Sequence, residues 1–199
     1  EGNPDLEQEK SWRYEANLEY RLPNDNGVIN TNLFYHDLED VIDKVDVSTE
    51  DDVLSANGNI GAGERYGLKI DGSLRLGFLG QPNMLVTTGL ELEDSEVSDP
   101  FTGMKRRLSR GGRGEFNIGL RHDISSRNMN WGFSIRSRFD GNNITYDIDK
   151  NEEYEGSNSY FSWVEMQGWG GLTYRFEARD EFVRCRSRDR FENRSVGDG

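Results

Sequence analysis

The sequence predicts an all-β fold arranged as an antiparallel meander of about eight strands. Apolar and polar residues alternate over long stretches, and short and long connections alternate between them. Glycine (23 residues) and aromatic residues (10 Phe, 8 Tyr and 4 Trp) are abundant, whereas apolar residues make up only 33% of the 199 residues, below the ~45–50% of ordinary globular chains. No segment shows a convincing helical period, and the longest apolar run falls far short of the ~20 residues of a membrane helix.

Each predicted strand rests on period-two alternation, which gives a strand two faces of different polarity. The first run is the clearest: from Trp12 to Leu22, every second residue is apolar or aromatic, and Arg13, Glu15 and Arg21 are among those between. Five further runs repeat the pattern, and two less regular segments complete the eight strands. In chain order, the strands are predicted over 12–22, 27–45, 66–78, 84–92, 116–124, 131–139, 157–167 and 172–178.

The connections differ in length according to the end of the strands at which they lie. Turn-forming residues make four short ones, which are Pro23–Gly27, Gly80–Asn83, Ser125–Asn128 and Gly168–Gly171. Long polar stretches lie between them, at about 46–63, 96–111 and 149–156 and from 185 onward. Tight turns at one end and long acidic loops at the other are typical of an outer-membrane β-barrel.

The apolar face could meet either lipid or a protein core, since alternation alone does not distinguish them. Strands of ten or more residues and the regular loop alternation favour lipid. Aromatic residues near strand ends favour it too, as an interfacial girdle would place them there: Trp12, Tyr20, Tyr66, Phe78 and Trp131. We therefore predict a transmembrane barrel wall in which Leu68, Ile70, Leu74 and Leu76 point outward and Lys69, Asp71 and Arg75 face the lumen.

Charge and composition exclude several functions. With 24 Lys+Arg against 37 Asp+Glu, the net charge is −13, which argues against nucleic-acid binding by bulk charge even though Arg110–Gly114 resembles an RGG element. A single cysteine, Cys185, excludes an internal disulfide. His36 and His122 fall in separate strands and are expected to be structural. Nothing assembles a nucleophile, a base and an oxyanion donor, so we predict no catalytic residue, no cofactor and no enzymatic activity.

Two acidic patterns raise the question of metal binding. Asp147–Asn151 opens like a calcium loop, but Glu152 and Asn158 occupy the positions of the required Gly and bidentate Glu, so a solvated loop is expected and no metal site is predicted. The acidic stretch 50–52 and the cluster Glu93, Asp94, Glu96 and Asp99 could bind divalent cations weakly, although an exposed acidic loop is the simpler interpretation. Around Cys185, the alternating Arg184, Arg186, Arg188 and Arg190 would share one face if a strand continues there. They could line the lumen or anchor lipopolysaccharide at the rim, but an inward solvated ladder paired with Glu residues is the simpler interpretation.

Four segments, in order, resemble motifs of the barrel of TonB-dependent outer-membrane receptors. Asn3–Glu15 resembles "NPxLxPExSxxxE", and Leu33–Ile42 is similar to the strand "xxxxFYxDLxDxI". Asn59–Lys69 resembles "NxGxGxxxGxE", with Lys69 replacing the acid. Leu172–Asp180 is similar to the "LxLEAxNLLD" strand near the family's C-terminus.

This resemblance implies a bacterial outer-membrane receptor that imports a scarce ligand of the siderophore, cobalamin or glycan class. Its implied partners are the TonB energy-coupling system, reached through a plug domain outside this chain, a small extracellular ligand, and outer-membrane lipid and lipopolysaccharide. No ligand-binding residues are identified. Residues 1–199 would form part of a barrel of about 22 strands, without the plug domain or the terminal strands, so no ladder is expected between 11–22 and 171–184. A small self-closed barrel, porin-like or structural, and a soluble β-barrel binding module remain alternatives.

Overall fold

The computed structural model describes residues 3–139, 142–154, 157–181 and 186–190, which form β-strands joined by turns and loops. Among these residues, no helix is long and apolar enough to span a membrane. The strands are β1 (Lys10–Arg21), β2 (Gly27–Glu39), β3 (Ile42–Asp46), β4 (Ser55–Asn59), β5 (Gly63–Leu76), β6 (Gln81–Ser98), β7 (Lys105–Arg106), β8 (Gly114–Ile124), β9 (Met129–Arg138), β10 (Asn142–Tyr146), β11 (Lys150–Tyr154), β12 (Asn158–Gln167), β13 (Thr173–Glu181) and β14 (Arg186–Arg190).

Eight of these strands form the main sheet, in the order β1-β2-β5-β6-β8-β9-β12-β13, and β7 pairs with the end of β6. Every pairing is antiparallel and follows the chain, which confirms the predicted meander. Within the described part of the chain, β1 and β13 are the two ends of the sheet and do not pair with each other. This confirms the expected open sheet and contradicts the small self-closed barrel.

The register separates the side chains into an apolar face and a polar face, because residues directly opposite each other in neighbouring strands lie on the same face. On the apolar face, one row joins Ala16, Leu33, Leu68 and Leu92. On the polar face, the adjacent row joins Asn17, Asn32, Lys69, Glu91 and Glu115. The alternation along β5 therefore places Leu68 and Lys69 on opposite faces, as the sequence predicts.

The apolar face remains exposed because the sheet is a single layer. Leu18 and Phe176 are 68% and 65% exposed. Among the described residues, the buried apolar side chains are Leu38, Val41 and Val97, which lie at the end of the sheet remote from the tight turns. A continuous apolar surface of this extent requires an apolar environment from outside the chain.

Each of the four tight connections contains a short 3₁₀ turn, and in the first and the fourth a residue within the turn, Asn24 or Gly170, has a positive φ. Three lie where the sequence predicts them. The second turn lies at Gly77–Leu79, three residues before the predicted start, and β6 begins at Gln81. Gly80 closes the turn with φ of +74°, a conformation that glycine adopts without steric cost, and Phe78 therefore lies in the turn rather than in a strand.

The predicted second strand, 27–45, is divided: β2 ends at Glu39, and β3 (Ile42–Asp46) belongs to the first long connection. β4, β7, β11 and β14 lie in stretches predicted to be loops. β3 and β4 form a hairpin, β6 extends to Ser98 against β7, and β10, β11 and β14 form a separate sheet. These strands are largely polar and bury little apolar surface, so period-two alternation does not reveal them. β14 places Arg186, Arg188 and Arg190 at alternate positions of one strand, whereas Arg184 and Cys185 lie outside the described residues.

Candidate functional site

The polar face carries rows of paired charges that cross the sheet. Arg138 and Arg136 both approach Glu115, at 3.3 Å and 3.6 Å, and Arg175 pairs with Glu165 and Glu177 at 3.3 Å and 2.6 Å. Lys69 pairs with Glu91, and Arg121 with Asp123. Exposed pairs of this kind contribute little to stability, but they make this face a hydrated surface that suits the interior of a barrel.

Aromatic side chains on the polar face lie against glycines of the neighbouring strand. Phe34 is directly opposite Gly67, and Trp163 is directly opposite Gly132. A β-carbon at Gly132 would lie 3.0 Å from the Trp163 ring, so the absence of a side chain there lets the indole pack on the sheet. The guanidinium carbons of Arg121 and Arg175 lie 5.9 Å and 5.4 Å from the Trp163 ring centroid, within the range of cation–π attraction.

A concave groove with a volume of about 390 Å³ lies on the polar face across β8, β9, β12 and β13. We call it the arginine groove. Its lining side chains alternate along these strands, as the register of the polar face requires. Those on the polar face are Asn117, Ser134, Arg136, Ser159, Phe161 and Arg179, and Ile135 and Tyr160 complete the lining.

A second feature, the loop junction, joins three long connections at the end of the sheet remote from the tight turns. It consists of Asp43 in β3, Asp99 after β6, Arg106 in β7 and Tyr146 at the end of β10. Arg106 donates from Nε to Asp99 Oδ2 at 2.6 Å and from Nη2 to Asp43 Oδ2 at 3.0 Å. Its guanidinium carbon lies 4.3 Å from the Tyr146 ring centroid. One arginine thus connects elements that are far apart in sequence.

The charged side chains of the loop junction are buried and form hydrogen bonds with one another. The side chains of Arg106, Asp43 and Asp99 are only 7%, 7% and 11% exposed. Burial alone would raise the pKa of Asp99, but hydrogen bonds from Arg106 and from the amides of Thr102 and Phe101 outweigh it and lower this pKa below its usual value. Burial raises the pKa of the Tyr146 hydroxyl. The junction is therefore a preformed ionic contact at neutral pH.

The segment 107–113 folds back onto β6 beside the loop junction. The buried carboxylate of Glu93 pairs with Arg65 and accepts a hydrogen bond from the Gly112 amide at 3.0 Å. The Leu108 amide donates to Ser95 Oγ at 3.1 Å. Within the RGG-like segment, the Gly112 amide is thus used inside the protein itself, as is the Arg110 amide, which donates to the Ile144 carbonyl at 2.7 Å.

The structure places the acidic cluster predicted from the sequence at the end of β6 and directly after it. Each carboxylate has a basic partner: Glu93 pairs with Arg65, Asp94 with Arg107, Glu96 with Lys105 and Asp99 with Arg106. The exposed-loop interpretation is therefore wrong for Glu93 and Asp99, which tertiary pairing buries, and weak cation binding stays a prediction. By contrast, residues 50–52 are exposed as expected.

The remaining candidates stay separate from one another. Asp147 begins a tight turn between β10 and β11, in which its amide donates to the Lys150 carbonyl at 2.9 Å. Across the described residues, no group of three or more His, Cys, Asp or Glu side chains could hold a metal ion. His36 lies 5.2 Å from the Phe34 ring, and His122 packs edge-on against Trp131 at 5.7 Å. Their structural role stays a prediction.

The sequence analysis does not single out Arg106, Arg136 or Arg179. One carboxylate partner of Arg106, Asp99, is seven residues away, but the other, Asp43, is 63 residues away, so the sequence does not indicate the three-residue contact. Arg136 and Arg179 do follow strand alternation, and the polar-face positions of β9 and β13 could have indicated that both point to the same side of the sheet as Phe161.

Comparison with protein families gives a match. The family model described as "TonB dependent receptor-like, beta-barrel" matches residues 1–163, which include the sheet from β1 through most of β12. No curated protein matches the chain.

Proposed function

Because this chain belongs to the TonB-dependent receptor β-barrel family, we propose that it forms part of the barrel wall of a receptor that imports a scarce solute by energy-coupled transport. Members of this family are outer-membrane receptors and transporters. The observation that carries the proposal is an open, single-layer meander with one apolar face and one charged face, in a chain that matches the family over residues 1–163.

The apolar face meets outer-membrane lipid in this proposal. A shallow groove of about 760 Å³ on that face is lined mainly by Tyr14, Leu33, Tyr66, Leu68 and Leu92. Tyrosines of three neighbouring strands lie in one row at its margin, as in the aromatic girdles of outer-membrane barrels. The row beyond them carries charges, including Glu64 and Glu96. The outer boundary of the hydrocarbon layer therefore lies near the tyrosine row, where lipid and lipopolysaccharide headgroups begin.

The two sheet edges pair with strands outside residues 1–199. Unpaired backbone groups of β1 and β13 would each cost several kcal/mol in hydrocarbon, and within the described residues the sheet leaves one edge of each strand without a partner. Further strands of the same barrel satisfy both edges. A barrel completed in this way is wide enough to require a plug domain, and the TonB system acts on the receptor through that plug.

The long connections form the solute entrance. They lie at the end opposite the tight turns, which in outer-membrane barrels is the extracellular end, and the loop junction holds three of them together. The imported solute belongs to the siderophore, cobalamin or glycan class, because energy-coupled uptake serves to import scarce ligands of these classes.

Uptake measurements in the native bacterium test this proposal. Cells lacking the receptor should lose uptake of one labelled solute among an iron chelate, cobalamin and an oligosaccharide. Inactivation of TonB should cause the same loss, and re-expression of the receptor should restore uptake only when TonB is functional. Unchanged uptake of all three solutes in the deletion strain, or uptake by the receptor that persists without TonB, would contradict the proposal.

A further inference from the structure

The arginine groove has the size and the donor set of a small-ligand site. Its volume of about 390 Å³ is within the range of ~300–1,000 Å³ for such sites. Two guanidinium groups, two hydroxyl groups and one amide converge on it, from Arg136, Arg179, Ser134, Ser159 and Asn117. Guanidinium groups bind carboxylates and phosphates through paired, charge-assisted hydrogen bonds.

The charge of the groove is opposite to that of the chain. Acidic residues outnumber basic residues by 37 to 24 overall, yet within the described residues no carboxylate lines the groove. The nearest paired carboxylate is Glu115, which lies 3.6 Å from Arg136 and 3.3 Å from Arg138, so two guanidinium groups share one negative charge. By register, Glu181 lies opposite Ser159 on the edge strand.

The guanidinium group of Arg179 is held in position by an aromatic ring rather than by a carboxylate. Its guanidinium carbon lies 5.3 Å from the centroid of Phe161, which is directly opposite it across β12 and β13. Across the described residues, no carboxylate lies within ion-pair distance of Arg179. A guanidinium group packed on an aromatic face keeps its N–H donors available at its rim, so Arg179 presents unused donors to the groove.

The position of the groove suits a solute that enters from the long connections. Asn117, Arg136, Ser159 and Arg179 all lie in the half of their strands remote from the tight turns. A solute that passes the loop junction would therefore meet the groove in the half of the polar face nearer the long connections.

We propose that the arginine groove binds an oxyanion group, a carboxylate or a phosphate, of the solute that the receptor imports. This inference rests on the proposed transport function and adds the chemical class of the recognised group. Arg136 and Arg179 bind the anion from two sides, and the hydroxyl groups of Ser134 and Ser159 bind its remaining oxygen atoms.

Citrate, as a small tricarboxylate probe, tests the site in the receptor purified from outer membranes in detergent. We expect citrate to bind by calorimetry, and Arg136→Gln and Arg179→Gln each to weaken binding about tenfold, as the loss of a charge-assisted hydrogen bond would do. Arg121→Gln is the matched control, because it removes the same charge from the same face outside the groove. It should change the affinity by less than about twofold, since exposed charges at a distance are screened.

Three results would overturn the inference. The first is that citrate does not bind. The second is that Arg121→Gln weakens citrate binding as much as the groove variants do, which would indicate general charge attraction. The third is that the groove variants lower the melting temperature of the receptor without changing its citrate affinity, which would indicate that a carboxylate of the receptor itself fills the groove. Uptake in cells separates this failure from that of the transport function, because TonB-dependent uptake that is unchanged in both groove variants would refute the site alone.

Discussion

Replacement of Arg106 by alanine should release the long connections from one another while leaving the barrel wall intact. The change removes the common partner of Asp43 and Asp99, whose side chains are 7% and 11% exposed. Breaking a buried ion pair from one side costs about 3–5 kcal/mol, because a carboxylate remains buried without its counter-ion. The connections can open to hydrate these carboxylates, so we expect the lower end of this range, about 3 kcal/mol, as a loss of local stability.

Hydrogen exchange measures this loss at the amides of Phe101 and Thr102, which donate to Asp99 Oδ1 at 2.8 Å and 2.9 Å. A loss of about 3 kcal/mol corresponds to exchange that is roughly a hundredfold faster. Lys105→Ala is the matched control: it removes the same charge from the adjacent residue of β7, where the side chain is 72% exposed and pairs with Glu96. Exposed pairs contribute about 0–1 kcal/mol, so this variant should exchange within a few fold of the wild type.

The reasoning would be refuted if the two variants had equal effects on exchange. It would also be refuted if Arg106→Ala accelerated exchange equally in β8 and β9, because the change would then destabilise the whole wall rather than the junction. Tyr146→Ala should give an intermediate effect of about 0.5–2 kcal/mol, the range for a cation–π contact.

Three further predictions concern pH, lipid and packing. The lowered pKa of Asp99 adds stability above the unfolded-state pKa of about 3.9, and this stability is lost as the pH falls through the lower folded pKa. After correction for the intrinsic exchange rate, the hydrogen-exchange protection of the loop junction should be constant from about pH 7 to 5 and should fall below about pH 4. The Asp99→Asn variant should not show this pH dependence. Leu74→Arg should destabilise the membrane-inserted barrel by about 2–4 kcal/mol, and spin labels at positions 74 and 75 should report lipid and water, respectively, whereas the reverse result would contradict the assignment of the faces. Gly132→Ala brings a β-carbon within 2.6 Å of the Leu120 carbonyl and 3.0 Å of Trp163, so it should cost about 1–3 kcal/mol and shift the emission of Trp163, and unchanged emission would show that the indole does not pack on this glycine.

The eight strands of the main sheet could be predicted from the sequence because each has one face toward an apolar medium and one face toward water. A strand between an apolar medium and water alternates strictly, and the run from Trp12 to Leu22 shows this without any tertiary information. The turn at Gly77–Leu79 was harder to predict, because Phe78 continues the alternation although it lies outside the strand. The φ of +74° at Gly80, which ends the turn, is not marked by any hydrophobic pattern.

The loop junction could not be predicted by the same means. Ion pairs carry no periodicity, and the sequence offers 37 acidic side chains as partners for each arginine. The choice of Asp43 and Asp99 by Arg106 depends on how three separate connections fold over one another. The same limit applies to the acidic cluster at the end of β6, where the sequence indicates the charges and only the fold shows that each has a basic partner.

The long connections and the rest of the sheet are stabilised by different forces. The buried apolar residues Leu38, Val41 and Val97 gather at the end that carries the long connections, where a β-carbon at Gly63 would contact Val41 and Val97 at 3.2 Å and 3.5 Å. The loop junction lies at this same end, so the connections have a small core and a buried ionic contact of their own. Along the rest of the wall, the apolar side chains remain exposed and gain stability only from the medium around them. Lipid and neighbouring strands are therefore expected to stabilise the wall, whereas contacts within the chain stabilise the long connections. Under the proposed function, a change in these connections would alter the recognition of solute without altering the insertion of the barrel.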